Sequence, residues 1–377
     1  MRSAAVALLS LVAAVAGAAP CPSGSATGAF LAPGAYGTAH RTETFVDASR
    51  ETPAHRGIAA LPQRTLVVEI WYPTAEPASM VDSPDVASGR FPLVVNSPGY
   101  GDQRRGESYV TAALASRGYV VASIDFPLTN AFTADGKWLP DAHNQPGDVR
   151  FVIDQLLAAS RTRGGWLHGR IDRRRIGLEG LSLGGFTTLL TAYHPRLRDR
   201  RVKGAVTFAA LACPLPTQYL RSGPPLLILQ GTLDRFTPAA ENGERVFARA
   251  RVPRELVRLA GGTHVAFSGY LVVPLDESYD TVLGCALPQD FTPELFDSTY
   301  AAFGRDGARL DDGACTLPCS DPAPVGTVMA AARQHDLTVA ATVAFFESRF
   351  RRSRAARCFL RHGLAAENPD VTTAVAR

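Results

Sequence analysis

The chain has 377 residues, 46% of them hydrophobic and 20% charged, and its 39 basic and 35 acidic side chains leave a net charge of +4. That apolar fraction supports a large buried core and excludes a largely disordered chain, and the length is compatible with one α/β domain. The nearly balanced charge, with no aromatic residues interleaved among the basic ones, excludes a nucleic-acid surface as the organising feature; Arg173-Arg174-Arg175 and the arginines between 349 and 361 read as solvated faces.

In chain order, Arg2 precedes an apolar stretch from Ala4 to Ala16 that only Ser10 interrupts, and Ala16-Gly17-Ala18 fits a small-residue cleavage site. Residues 1–18 are therefore expected to be a secretory signal peptide, too short to span a bilayer, and the mature protein to be extracellular or periplasmic. No other stretch is apolar enough to cross a membrane. Residues 19–60, rich in Gly, Pro, Ala and Ser, are expected to lie over the surface. Apolar runs predict strands at 66–72, ended by Pro73, and at 92–97. A helix over 107–117 leads to a strand at 119–124. Pro146 marks the start of a helix with Val149, Val152, Ile153, Leu156 and Leu157 on one face. A strand at 175–178, a helix ending before Pro195, strands at 205–211 and 226–229, a helix at 239–250 and a strand at 256–260 follow. Asp336 is expected to cap a last helix carrying Val339, Val343, Phe346 and Phe350 along one side.

Continuous apolar strands alternating with amphipathic helices predict an α/β protein, a mostly parallel sheet with helices on both faces. Such sheets carry their chemistry at the carboxyl ends of the strands. Gly180-Leu181-Ser182-Leu183-Gly184 lies at one of these ends, between the 175–178 strand and a helix, and is the chain's one G-x-S-x-G. A strand-to-helix turn this tight strains the serine backbone, and the glycines remove side chains that would clash. Ser182 is thus the candidate nucleophile, placed at a helix N-terminus that favours developing negative charge.

A serine hydroxyl needs a base to attack at neutral pH. In this kind of site the acid follows the serine and the histidine comes last. Asp234 stands just past the 226–229 strand and His264 just past the 256–260 strand, on the same sheet edge as Ser182. Asp125 is the rival acid, and His143 is a loop histidine within reach of a substrate. Donors for an oxyanion are expected from the backbone N–H of Leu183 and of Tyr100, in the turn Ser97-Pro98-Gly99-Tyr100-Gly101.

Six cysteines, Cys21, Cys213, Cys285, Cys315, Cys319 and Cys358, suggest disulfides in an exported chain, with fifteen pairings possible. Cys315-x-x-x-Cys319 lacks the nearby histidine pair of a zinc site, so no metal is expected.

With these residues in place the chain resembles the bacterial secreted hydrolases related to platelet-activating-factor acetylhydrolase, often called dienelactone-hydrolase-like. The shared features run from about residue 60 to residue 270. They are Val68-Glu69-Ile70-Trp71-Tyr72-Pro73, the 97–101 turn, Ala115-Ser116-Arg117-Gly118-Tyr119-Val120-Val121, Asp148-Val149-Arg150-Phe151-Val152-Ile153, Ile171-Asp172-Arg173-Arg174-Arg175-Ile176-Gly177, and the turns of Ser182, Asp234 and His264. The resemblance implies an α/β-hydrolase fold over residues 61–360, with an insertion at about 266–330 and a C-terminal tail at 361–377. It also implies ester hydrolysis with no metal or organic cofactor. True dienelactone hydrolases use a cysteine, and Ser182 in that position moves the reading toward ordinary carboxylic esters.

The expected function is a serine ester hydrolase acting on a small-molecule or lipid ester. A serine peptidase would need a larger peptide-selecting domain, and a silent binding protein of this fold would need a broken Ser-Asp-His set. Three loops leave the active edge with apolar residues: 126–146 with Phe126, Phe132 and Trp138, 212–222 with Leu215 and Tyr219, and 266–300 with Phe267, Tyr270 and Leu271. Phe126, Trp138 and Phe267 are the candidate substrate contacts, and a walled pocket for short to medium acyl chains or small aromatic acids is expected. No amphipathic lid is legible, so interfacial activation by lipid is not expected.

Overall fold

The structure, a computed structural model of the chain, describes residues 21–75, 85–134, 136–269, 285, 292–305, 309–311, 315–320 and 326–376. The expected signal peptide lies outside the described residues, as do Tyr270 and Leu271.

Among the described residues, nine strands form one sheet: β1 (Gly37–Asp47), β2 (Arg64–Thr74), β3 (Phe91–Ser97), β4 (Val120–Asp125), β5 (Ile171–Leu181), β6 (Val202–Phe208), β7 (Leu226–Gly231), β8 (Arg254–Leu259) and β9 (Val371–Ala376). Their spatial order is β1-β2-β4-β3-β5-β6-β7-β8-β9. The six strands from β4 to β8 run parallel, and β1, β2 and β9 pair antiparallel at the margins. This is the α/β-hydrolase architecture expected from the sequence.

The central strands are apolar because both of their faces are covered: every residue of β3, β4 and β7 is buried. One face carries α3 (Gln145–Arg161), α4 (Leu183–Tyr193) and α5 (Gly243–Arg249), whose Val152, Ile153, Phe186, Leu190 and Val246 join one core. The other carries α1 (Thr27–Leu31), α2 (Ser108–Ser116) and α7 (Ala331–Phe350), with Phe30, Val110, Leu114 and Phe346 in a second core. A further helix, α6 (Pro293–Arg305), packs against the 3₁₀ turn Leu139–His143.

After β3 the chain turns to β4 on one side, then crosses to β5 on the other. The carboxyl ends of β3 and β5 therefore flank the point where strand order reverses, the usual place for a ligand crevice in an open α/β sheet.

Three boundaries differ from the sequence reading. Residues 19–60 contain the eleven-residue edge strand β1. Its polar composition reflects its partner: His40 Nδ1 lies 2.6 Å from the buried Glu69 carboxylate and Thr42 donates to it at 2.9 Å, so β1 meets polar groups instead of a greasy face. Residues 361–377 are not simply a tail, since β9 completes the opposite edge against β8. Asp336 does not cap α7, which starts five residues earlier behind Ala330.

Arg64, fully buried at the start of β2, donates to Asp141 at 2.6 and 3.0 Å and to Asp148 at 2.7 and 2.8 Å. This ties β2 to the Leu139–His143 turn and to α3. Three disulfides join Cys21 to Cys358, Cys213 to Cys315 and Cys285 to Cys319. Cys315 and Cys319 thus have separate partners.

Candidate active site

Ser182 joins β5 to α4 with φ 54° and ψ −116°, a conformation non-glycine residues rarely adopt. Neighbouring backbone holds it there. Its N–H donates to Phe208 O at 2.9 Å, and its carbonyl accepts from Phe186 and Leu211 N–H at 3.0 Å each. The turn can be this tight only because its flanks lack side chains. A Cβ at Gly184 would sit 1.8 Å from Ser97 O, and one at Gly180 would sit 2.4 Å from Gly184 O. Ser182, the candidate nucleophile, is partly exposed at this edge.

Leu183 is the first residue of α4, so its N–H belongs to the helix turn that has no intrahelical acceptor. The 97–101 turn leaves the end of β3 beside the serine: a Cβ on Gly99 would come within 3.5 Å of Ser182 Cβ. Gly101 N–H donates to Thr129 O at 2.8 Å, which fixes the turn that carries Tyr100. Leu183 thus follows the serine directly, and Gly99, the residue before Tyr100, lies against it.

Asp234 lies in the turn after β7 and is 3% exposed. Its Oδ1 accepts from Phe236 and Thr237 N–H at 2.9 and 2.8 Å, while Gln230 Nε2 donates to Oδ2 at 3.1 Å and the Thr237 hydroxyl lies 2.8 Å from Oδ2. His264, buried after β8, places Nδ1 at 3.0 and 3.1 Å from the two carboxylate oxygens. Asp234 is the acceptor in this arrangement. Nδ1 therefore carries the proton, and Nε2 keeps the lone pair of a base. Phe236 stacks on the imidazole at 4.8 Å between centroids. Gln334 of α7 grips the residue before it, accepting from Thr263 N–H at 3.1 Å and donating to Thr263 O at 2.8 Å.

The rival groups are engaged elsewhere. Asp125 pairs with Arg104 Nη1 at 2.6 Å. His143 sets Nδ1 2.7 Å from Pro140 O. His194 ends α4, where Arg196 and Leu197 N–H donate to its Nδ1, and burial with the nearby Arg196 pushes it down to about 4. Thr237, Gln230, Phe236 and Gln334 escaped the sequence reading. A threonine three residues after a turn aspartate was the one available signal; Gln334 comes from a remote helix and had none.

The proposed substrate contacts need correction. Phe126 and Phe267 are 2% and 0% exposed and sit in the two cores, Phe267 against Phe208. Leu215 is fully buried as well, and Phe132 is 63% exposed. Phe126 and Phe267 thus pack the cores. Trp138 is half-buried near His55, next to Lys137, whose ammonium lies 5.7 Å from the Tyr100 ring centre. The insertion also holds an amphipathic helix that the sequence reading missed: α6 buries Phe296, Thr299, Ala302 and Phe303 on one side.

A strained serine at the switch point of a mostly parallel sheet, with an aspartate–histidine pair past later strands, defines an α/β hydrolase. The PET hydrolase-like family model matches residues 55–270, more than half of the chain, and the chain belongs to that family. A bis(hydroxyethyl) terephthalate hydrolase of Streptomyces coelicolor is 28% identical over 201 residues, 52% of this chain and 54% of the relative. The match thus spans about half the length of that curated relative. A solved ferulic acid esterase from Streptomyces cinnamoneus superposes with a TM-score of 0.61 at 24% identity, covering 91% of this chain and 98% of that one, and so shares its fold. Among the described residues no helix is long and apolar enough to cross a membrane.

Proposed function

We propose that the protein is an exported carboxylic ester hydrolase in which Ser182 is the nucleophile, His264 the base and Asp234 the group that orients it. The observation that carries this reading is the strained Ser182 turn on the same sheet edge as the buried Asp234–His264 pair. Ser182 Oγ attacks the ester carbonyl and its proton passes to His264 Nε2. The tetrahedral oxyanion takes hydrogen bonds from the N–H groups of Leu183 and Tyr100. The imidazolium returns the proton to the leaving alcohol as the C–O bond breaks. Water then attacks the acyl-enzyme by the reverse proton path, releasing the acid and free Ser182.

Family membership and the relative that acts on a terephthalate ester support small aromatic acids, with short to medium acyl esters beside them. Three disulfides support an oxidising, extracellular or periplasmic setting. The test combines fluorophosphonate labelling with turnover of chromogenic esters. The wild type is expected to label and turn over, and Ser182→Ala to do neither while keeping its melting transition. Near-normal turnover by folded Ser182→Ala overturns the assignment. A fold that neither labels nor turns over is the silent binding protein. Preference for palmitate over butyrate, rising above the micelle threshold, makes it a lipase.

A further inference from the structure

The chain between β3 and α2 carries two acids that the ester mechanism leaves unused. Asp102 stands two residues after Tyr100, and Glu107 is the residue before α2. Glu107 is fully buried and Asp102 nearly so. Their carboxyls are in hydrogen-bond contact with each other. Each has one oxygen with an ordinary donor: Asp102 Oδ1 accepts from Gln103 N–H at 2.7 Å, and Glu107 Oε2 accepts from Asn96 Nδ2 at 2.8 Å. The other two oxygens, Asp102 Oδ2 and Glu107 Oε1, have no donor among the described residues. Two carboxylates this close and this buried cannot both be charged, and one proton between them supplies the missing donor. Burial and the neighbouring Asp102 charge hold the Glu107 carboxyl well above the usual carboxylate range, and burial raises that of Asp102.

The pair stands where parts of the candidate site are joined. Asp102 N–H donates to Gly99 O at 3.2 Å and Asp102 O accepts from Ala131 N–H at 2.8 Å, so this residue closes the turn that carries Tyr100. Its carboxyl folds over Gly106, where a Cβ would come within 2.4 Å of Oδ1. The same stretch holds the loop after His264. The Ser268 hydroxyl donates to Asp102, Gly269 N–H donates to Gly106 O at 2.7 Å, and the Tyr109 hydroxyl donates to Phe267 O at 2.8 Å. Other titratable groups face the pair. Glu179 of β5 and Asp125 of β4 are acids, the latter paired with Arg104. Tyr109 belongs to α2, and His335 of α7 stacks on it at 4.0 Å. Neither acid relieves a second charge on the pair, and burial keeps the His335 ring below its ordinary pKa.

We propose that Asp102 and Glu107 share one proton between Oδ2 and Oε1, and that this hydrogen bond is a positioning element that keeps the Tyr100 turn and the His264 loop in register with Ser182. The proposal rests on the reading of Ser182 and His264 as the ester-cleaving pair with Tyr100 N–H as an oxyanion donor. Losing the proton at high pH, or the donor by mutation, leaves two buried charges or an unpaired acceptor in the turn. A displacement of about 1 Å in such a site costs roughly 10²-fold in rate. The test is steady-state hydrolysis of p-nitrophenyl acetate by the full chain from about pH 7 to 10, with Glu107→Gln and Glu107→Met. Methionine has no donor, and that variant is expected to lower kcat by about 10–100-fold with little change in KM. Glutamine offers its NH₂ to Asp102 and its oxygen to Asn96, and is expected to recover most of that loss. Wild-type kcat is expected to fall at the alkaline end, and that of Glu107→Gln, which has no proton to lose there, is not. A Glu107→Gln profile that superimposes on the wild type, or full activity in Glu107→Met, overturns the positioning role; where Glu107→Met does not fold, the Glu107→Gln profile decides. The protonated-carboxyl infrared band at pH 7 is read beside it. A band that Glu107→Gln leaves unchanged overturns the shared proton, whether or not the chain cleaves esters. With that band lost in Glu107→Gln, a wild type that neither labels with fluorophosphonate nor cleaves acetate removes instead the reading of the site on which the positioning role depends.

Discussion

The Asp234 carboxylate faces donors on both oxygens, so its chemistry depends on being an acceptor throughout. An asparagine there would set an NH₂ group against donors and turn His264 to the wrong tautomer. Asp234→Asn is expected to lower kcat by about 10³–10⁴ with a much smaller change in KM, measured by steady-state kinetics. A larger kcat loss in Asp125→Asn would hand the acid role to that residue. Glu179, three residues before Ser182, presents a different residue-scale effect. It is fully buried, neither oxygen finds a hydrogen-bond partner among the described residues, and burial pushes its carboxyl from 4.5 up to about 8. The folded protein then holds a proton that the unfolded chain releases above about pH 4.5, so this group's contribution to stability falls as pH rises toward 8. Glu179→Gln removes that loss. Its melting temperature relative to the wild type is expected to rise from pH 5 to pH 8, and a difference that stays flat would mean Glu179 is not held neutral.

Among the elements, the strand-turn-helix of Ser182 was legible because its glycines are dictated by backbone clearance, which is local. The link between β2, the Leu139–His143 turn and α3 was not. Arg64 reads in sequence as an ordinary polar residue at a strand start, yet it is fully buried between two aspartates. Removing the cation would leave two buried carboxylates held only by Arg50, 2.9 Å from Asp148, and by Asn144, which donates to Asp141 at 2.7 Å. Arg64→Leu is therefore expected to destabilise the fold by about 3–5 kcal/mol, seen as a lower urea midpoint with an unchanged slope. A loss under about 1 kcal/mol would show that the aspartates are satisfied without it. β1 and β9 went unread for a related reason: edge strands face water or polar partners, so they lack the apolar run that betrays a central strand.

For the molecule as a whole, the Cys21–Cys358 bond closes a span of 337 residues and fastens the segment before α1 to the region after α7. Replacing both cysteines with alanine is expected to lower stability by about 2–4 kcal/mol, checked by thermal or urea unfolding, with acyl selectivity unaffected. All three bonds have an end in the C-terminal third, but two reach out to Cys21 and Cys213. Loss on reduction should therefore spread to the N-terminal segment and the β6 loop instead of staying in the C-terminal third. Six reactive thiols in exported protein would contradict this.

What the sequence determined by itself was the frame and the make-up of the candidate site: the alternation of apolar strands with amphipathic helices, the glycine-flanked serine, and an aspartate and a histidine just past later strands. Each is a short-range pattern, set by backbone sterics or by burial of a strand on both faces. What only the tertiary structure decided was which side chains meet. The cysteine pairing, the hold of Gln334 on Thr263, the burial of Phe126 and Phe267, and the placing of α6 against Leu183 and Leu211 join residues tens to hundreds of positions apart. Sequence spacing carries no information about such contacts, because packing of whole elements brings them together.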